Sequence, residues 1–452
     1  MPEKITKTVA VIGAGPAGLF AARELAQAGL NVALINRDIK PGGLAEYGIY
    51  PSKHKMKEGL RRQFRMVVDE PNVHYFGNLS IGSNDDFTLD DLRAMGFDGL
   101  LLTVGAQGTK WLGLPGEELE GVYHAKDLVY HYNKLPPFSE QRFAIGHRVL
   151  CVGVGNVMLD IAHWAVHELK VDEVIAIARR GPADVKFTKK EMETVARNLD
   201  LEALDAEFER TSPIMQAVGQ SPEEAKQFIL SALDKAEEPV SNTRLTLDFL
   251  VSPKRILGDE NGRVRAVEVE DTTLEARSGG GTRSVGLGST REIEADTVVF
   301  CIGDRVDASM GLPLDQWGEF AKHPKPRFPI EGISFEAYNP ETVSGVEGVF
   351  LAGWAREASS GLVGTARKDG MLGAKALLQY LEGVRGGEQD VIQTLESRVG
   401  QLKKPVVRKA DWKKLEAEEQ TQASKLGLEE FKFAGNAEML QAMGFGVEKQ
   451  QA

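Results

Sequence analysis

The chain has 452 residues, 42% of them hydrophobic and 27% charged, with a net charge of −12, which is enough material for two or three domains with separate cores. The acidic balance argues against a nucleic-acid partner, which needs a basic face, and more softly against docking an acidic protein over a wide surface. No run approaches the roughly 20 apolar residues that span a bilayer, so no membrane insertion is expected.

The chain opens Met-Pro-Glu-Lys-Ile-Thr-Lys and goes directly into a strand, leaving no room for a signal peptide and implying a cytoplasmic protein. The apolar run Val9–Ile12 then meets Gly13-Ala14-Gly15-Pro16-Ala17-Gly18 and an apolar-periodic segment over 19–27. This is a strand, a tight glycine turn and a helix, the arrangement that lets a pyrophosphate approach the backbone at a helix N-terminus. A second strand over 31–35 ends at Asn36, where dinucleotide sites often carry a ribose-binding acid, with Asp38 two residues on. Gly42-Gly43-Leu44 follows and suits a deep FAD site. A predicted helix then carries Lys53, Lys55, Lys57, Arg61, Arg62 and Arg65, either a basic docking patch or a solvated charged face. The apolar strand over 99–104 stops at Gly105.

A second glycine turn, Gly153-Val154-Gly155-Asn156-Val157-Met158, again follows an apolar strand (149–152) and precedes a helical pattern over 159–169. Met158 takes the third small position of the motif, which predicts slightly splayed helix–strand packing. The next strand, 174–178, ends at Arg179-Arg180. Two guanidinium groups there can pair bidentately with the 2′-phosphate of NADP, where an acid would indicate NAD. Residues 189–238 read as mostly helical, 245–256 and 263–271 as alternating strands, 278–289 as a Gly/Ser-rich hairpin tip forming a solvated loop, and 297–304 as a closing strand. A strand from 348 leads to Gly353-Trp354, a helix is expected over 369–381, and the tail over 410–422 reads as a charged surface helix with Asp411 as its N-cap.

Two strand–turn–helix units imply two dinucleotides held by one chain, the layout of a flavoprotein that passes electrons between a nicotinamide and a flavin. The fold class is α/β with two Rossmann-like dinucleotide-binding domains, as in two-domain flavoproteins of the glutathione reductase type. The expected division is an FAD-binding domain in two segments, 1–106 and 324–452, around an NADP-binding domain over 107–323. The only cysteines, Cys151 and Cys301, lie in apolar strand runs and are expected to be small core residues. Without a C-x-x-C pair or enough thiolates for a cluster, dithiol and iron–sulfur chemistry within the chain are excluded, and no metal site is expected.

These motifs, taken with Gly43 to Pro51, Phe187-Thr188, Glu191, Gly361-Leu362-Val363-Gly364-Thr365 and Asp411 to Leu415, resemble the adrenodoxin reductase-type ferredoxin–NADP⁺ reductases over nearly the whole chain. Gly353-Trp354, where many flavoproteins of this fold carry Gly-Asp, points to that branch. The resemblance implies an NADPH-dependent oxidoreductase with FAD and NADP as cofactors and a ferredoxin-type electron-transfer partner. It implies FAD contacts at Ala17, Leu44, Ile81, Trp354 and Gly361 to Val363, with Asn36 standing where the family has an acid. NADP contacts are implied at Val154 to Val157, Arg179, Arg180 and Glu191, and polar roles near the flavin at His54 and Asp160.

Two departures stand out. The stretch 211–217, Thr-Ser-Pro-Ile-Met-Gln-Ala, has no cation where members that dock a strongly acidic ferredoxin are arginine-rich, and Arg356 to Ser360 replaces the usual Lys-Arg-Gly-Pro. Both bear on the identity of the electron acceptor. The alternatives are an electron-input subunit similar to the glutamate synthase small subunit, or a non-catalytic nucleotide-binding subunit.

Overall fold

The computed structural model describes residues 7–359, 361–387 and 389–446; the opening residues read above as leading into a strand, and Ser360, lie outside these. The chain forms two units, one of residues up to 108, 130–140 and from 303 onward, the other of 109–129 and 141–302.

In the first unit β1 (Thr8–Ile12) is buried at every position, as a strand covered on both faces must be. Gly15 leads into α1 (Pro16–Gln27), which has proline in its first turn, where the missing N–H costs nothing. Gly29, at φ +87°, ends α1, and Leu30 N–H returns to Leu25 O in the manner of a Schellman closure. β2 (Asn31–Asn36), α2 (His54–Val68), β3 (Val73–Gly77) and β4 (Gly99–Leu102) follow.

The second unit contributes β5 (Val122–His124), β6 (Arg148–Val152), α3 (Asn156–Trp164), β7 (Glu173–Ala178), α4 (Leu201–Ala217) and β8 (Arg244–Phe249). β9 (Val251–Gly258), β10 (Val264–Ala276), β11 (Thr282–Glu294) and β12 (Thr297–Phe300) complete it. Its parallel sheet has the order β5-β12-β6-β7-β8, and β9-β10-β11 form an antiparallel sheet.

The first unit then resumes with β13 (Glu336–Asn339), β14 (Ser344–Leu351), α5 (Val363–Glu382) and α6 (Lys409–Leu426). Its sheet has the order β13-β14-β4-β1-β2-β3, so the returning β14 pairs in parallel with β4. In both units a glycine-turn strand lies between parallel neighbours, and the fold class expected from the sequence is borne out.

Four expectations need correction. The boundary at 323 falls late: Val306, Met310, Leu312 and Phe320 are buried in one core with Ile12 and Leu102, which returns the chain to the first unit from Gly303. The solvated loop over 278–289 is mostly strand. Gly280 and Gly281 take the turn at positive φ, and β11 then runs antiparallel to β10 from the Ala276–Thr282 pair. Asp411 is not the N-cap of α6. Arg408 holds that position, and the Asp411 carboxylate, three residues in, accepts the Arg408 N–H at 3.1 Å. Nor is α6 only a surface helix, since Trp412 and Leu415 are buried and the Trp412 ring lies 6.3 Å from Tyr75.

Candidate dinucleotide sites

In the first unit, the N-terminal glycine turn is shaped by two close approaches. A Cβ on Gly13 would lie 2.6 Å from Thr103 O, and one on Gly18 would lie 1.8 Å from Gly13 O. These two glycines therefore let α1 pack against its strands. Gly15 differs: a Cβ there would meet nothing within 4 Å. It opens onto space at the N-terminus of a helix with no side-chain cap, where unpaired N–H groups and the helix dipole favour an anion.

Gly42 and Gly43, both at positive φ, bring a second turn onto the first. Gly42 N–H donates to Ala14 O at 2.7 Å, and a Cβ on Gly43 would lie 3.0 Å from Gly15 Cα. Leu44 begins the next helical turn and packs with Tyr47, Tyr130 and Leu135.

Asn36 is buried, and its amide is engaged by its own neighbourhood. Oδ1 accepts the Ala14 N–H at 3.0 Å, and Nδ2 donates to Asp38 O at 2.9 Å and Lys40 O at 3.0 Å. It latches the glycine turn to the end of β2, and the Asp38 carboxylate, two residues on, pairs with Arg37 Nε at 3.1 Å. Ile81 is buried in the core around β4.

Gly353 N–H donates to Asp369 Oδ2 at 2.6 Å, and Arg356 donates to the same carboxylate from Nε at 3.0 Å and Nη2 at 2.6 Å. That clamp holds the one-turn helix bearing Trp354 against α1, where a Cβ on Gly353 would lie 2.7 Å from the Ala17 Cβ. Gly361 has φ +70°. Leu362 is 68% exposed and precedes Val363 at a second helix N-terminus without a side-chain cap. The helix is longer than the expected 369–381. Two uncapped helix N-termini in one unit, one behind an open glycine, fit the donor set a dinucleotide pyrophosphate needs.

In the second unit, a Cβ on Gly153 (φ +113°) would lie 2.6 Å from Cys301 O, whereas one on Gly155 would again meet nothing within 4 Å. α3 starts at Asn156 with no side-chain cap. Lys186 N–H donates to Val154 O at 2.9 Å and Thr188 N–H to Asn156 Oδ1 at 2.8 Å. These bonds lay the segment before Glu191 along the turn. Val157 is half-exposed, while Met158 is fully buried in the core. Arg179 is exposed and forms no ion pair among the described residues. Arg180 donates to Asp184 Oδ1 at 3.1 Å, which holds it at the end of β7. Asp160 lies on α3, close enough for its charge to raise the Cys301 thiol, though burial and the Cys151 thiol do more. Both cysteines are free and buried.

His54 starts α2, with Nε2 3.0 Å from Glu429 of the C-terminal segment. The basic helix is a different object from the docking patch considered above. Lys57 is 1% exposed, donating to Asn133 Oδ1 at 3.0 Å with Glu430 at 3.9 Å. Arg61 donates to Glu46 at 2.7 and 2.6 Å and also pairs with Glu430, and Arg65 pairs with Glu416 and Glu58. Lys55 and Arg62 remain exposed.

Lys40, Glu419 and Lys432 join the buried group. Burial pushes the Lys57 ammonium down to about 7, helped by the like charge of Lys432. Burial disfavours ionised Glu46, but Lys432, Lys40 and Arg61 outweigh it and hold that carboxylate well below its usual range. The sequence carries little sign of this cluster, because all its acids but Glu46 and Glu58 come from the far end of the chain.

The fold and the paired glycine turns define a protein with two dinucleotide-binding units. Residues 7–204 match the family model described as pyridine nucleotide-disulphide oxidoreductase. The chain is similar over 96% of its length to the NADPH-ferredoxin reductase FprA of Mycobacterium leprae, at 26% identity and covering 97% of that protein. It is also 28% identical to the mitochondrial NADPH:adrenodoxin oxidoreductase of Salvelinus fontinalis, over 96% of this chain and 90% of that one. The structure of Mycobacterium tuberculosis FprA in complex with NADPH superposes with a TM-score of 0.80 at 24% identity, over 97% of this chain and 99% of that one, a likeness of fold. The resemblance to adrenodoxin reductase-type ferredoxin–NADP⁺ reductases read from the motifs is borne out over nearly the whole chain. Among the described residues no helix is long and apolar enough to cross a membrane.

Proposed function

We propose that the chain is an FAD-dependent NADPH oxidoreductase that exchanges electrons with a ferredoxin-type iron–sulfur protein. The observation that carries this reading is the pair of uncapped helix N-termini behind Gly15 and Gly155, the two turn glycines with open space where a side chain would be. Bound FAD supplies the change between two-electron chemistry with a nicotinamide and one-electron chemistry with an iron–sulfur centre.

The protein's work is binding and alignment. In the first unit, Gly13, Gly15, Gly18, Ala17, Leu44, Ile81, Trp354 and Gly361 to Val363 hold the FAD, and Asn36 keeps the turn in shape. In the second, Gly153, Val154, Gly155, Asn156 and Val157 receive the NADPH pyrophosphate. Exposed Arg179 and Asp184-held Arg180 take the 2′-phosphate, and Glu191 flanks it. Proton-handling roles fall to His54 in the first unit and to Asp160 in the second. Lys55 and Arg62 are the cations of α2 that a partner protein can reach. The free, buried thiols suit a reducing, cytoplasmic setting.

The test is the visible spectrum of the purified protein before and after anaerobic addition of NADPH or NADH. A yellow protein bleached fast by NADPH and slowly by NADH is expected. Arg179→Ala removes charge-assisted bonds to one phosphate, and should weaken NADPH about ten- to a hundred-fold while sparing NADH. A colourless protein, or equal losses for both nucleotides, overturns the reading.

A further inference from the structure

The helix that opens at Gly155 carries a second feature at its other end. α3 passes at Ala165–Leu169 into a π-helical turn, a rare distortion that recurs at functional sites. His163, on the last turn of α3, and His167, in the π-helical turn, stand four residues apart with ring centroids 4.1 Å apart, tilted by 59°. Glu237, from the segment leading to β8, joins them, and one ligand atom from each of the three lies within 4.8 Å of the others. His163 is buried, His167 half-buried and Glu237 exposed.

We propose that His163, His167 and Glu237 form a binding site for a divalent transition-metal cation of the zinc type, with a fourth position open to water. Three observations support it. Two imidazoles one helical turn apart are a standard chelating pair, and nitrogen ligands select Zn²⁺ and its neighbours over Mg²⁺ or Ca²⁺. The carboxylate supplies the negative charge that offsets the cost of desolvating such a cation. His167 Nε2 lies 3.3 Å from Thr194 O, the kind of carbonyl contact that fixes a ligating imidazole. Glu237 is held in turn by its own N–H, which donates to Glu193 O at 3.0 Å.

Tetrahedral ligands at zinc distances sit about 3.3 Å from one another, so the three groups need to draw in by up to about 1.5 Å from their present separation, within reach of side-chain rotation. A bound cation would clip the segment before β8 to α3. The spacing His-x-x-x-His is visible in the sequence, but its third ligand, Glu237, is remote in the chain.

The test uses full-length, tag-free protein, with Zn²⁺ as probe and Mg²⁺ as control, followed by calorimetry and by melting temperature. One Zn²⁺ per chain should bind saturably and raise the melting temperature by several degrees, with no response to Mg²⁺. Glu237→Gln, at an exposed position, and His167→Gln should each weaken Zn²⁺ binding about ten-fold or more, while metal-free melting of Glu237→Gln stays unchanged. Absence of saturable Zn²⁺ binding, equal binding of Mg²⁺, or Zn²⁺ binding that both substitutions leave intact would overturn the proposal.

Discussion

Lys57→Met should make the protein more stable at neutral pH, although the lysine sits in a network of ion pairs. Its ammonium titrates near 7, against 10.5 for a free lysine, so keeping it charged in the folded state costs about 5 kcal/mol. Methionine has a similar shape and no charge. The substitution withdraws the donor from Asn133, a loss of about 1.5–3 kcal/mol, and Glu430 keeps Arg61 as a partner. The net gain at pH 7 is about 2 kcal/mol.

The pH dependence gives a sharper test. Between pH 7 and 10.5 the unfolded chain holds this proton and the folded protein has lost it, so wild-type stability rises with pH by about 1.4 kcal/mol per unit from this group. By pH 9 the cost has fallen to about 2 kcal/mol, and the advantage of the variant should vanish. Urea denaturation of both proteins at pH 7 and pH 9 measures this directly. A variant less stable than wild type at pH 7, or a difference that does not change with pH, would refute burial as the dominant influence on Lys57.

Gly18→Ala should destabilise strongly, because its Cβ would sit 1.8 Å from Gly13 O, whereas Gly155→Ala, with nothing within 4 Å, should change folding stability by no more than about 1 kcal/mol and instead raise the KM for NADPH; melting curves and steady-state kinetics separate the two effects. Trp412→Ala should cost about 3–5 kcal/mol by chemical denaturation, since the ring is 2% exposed and packed on Tyr75; a surface helix would lose almost nothing.

The parts of this fold written in neighbouring residues were legible. Val9–Ile12 and Val149–Val152 announce buried strands, the glycines after them announce turns, and the periodic segments beyond announce helices. What failed to show was decided by distant partners. Lys57 reads as one more cation on a charged helix, and only Glu430 and Asn133 reveal that it is buried. Asn36 marks the ribose position by its place at a strand end, yet its amide is committed to the glycine turn. β11 lacks apolar alternation because it is held by its ladder to β10 more than by burial. The re-entry at Gly303 is set by where Phe320 and Met310 find a core. The open glycines at 15 and 155 share a motif with Gly13, Gly18 and Gly153, and only the packing of distant segments such as Thr103 and Cys301 decides which of them faces space.

The crossing of chain ends in the first unit sets an order of assembly on the ribosome. β1 and α2 are synthesised before β14, which lies beside β4 in their sheet, and before Glu419, which joins Glu46 on Lys40, and Glu430, which pairs with Lys57. The N-terminal segment is therefore made first and completed last, while residues 141–302 can pair their own strands as they emerge. A ribosome that stops before the final helices releases a chain with two lysines facing an unfinished core.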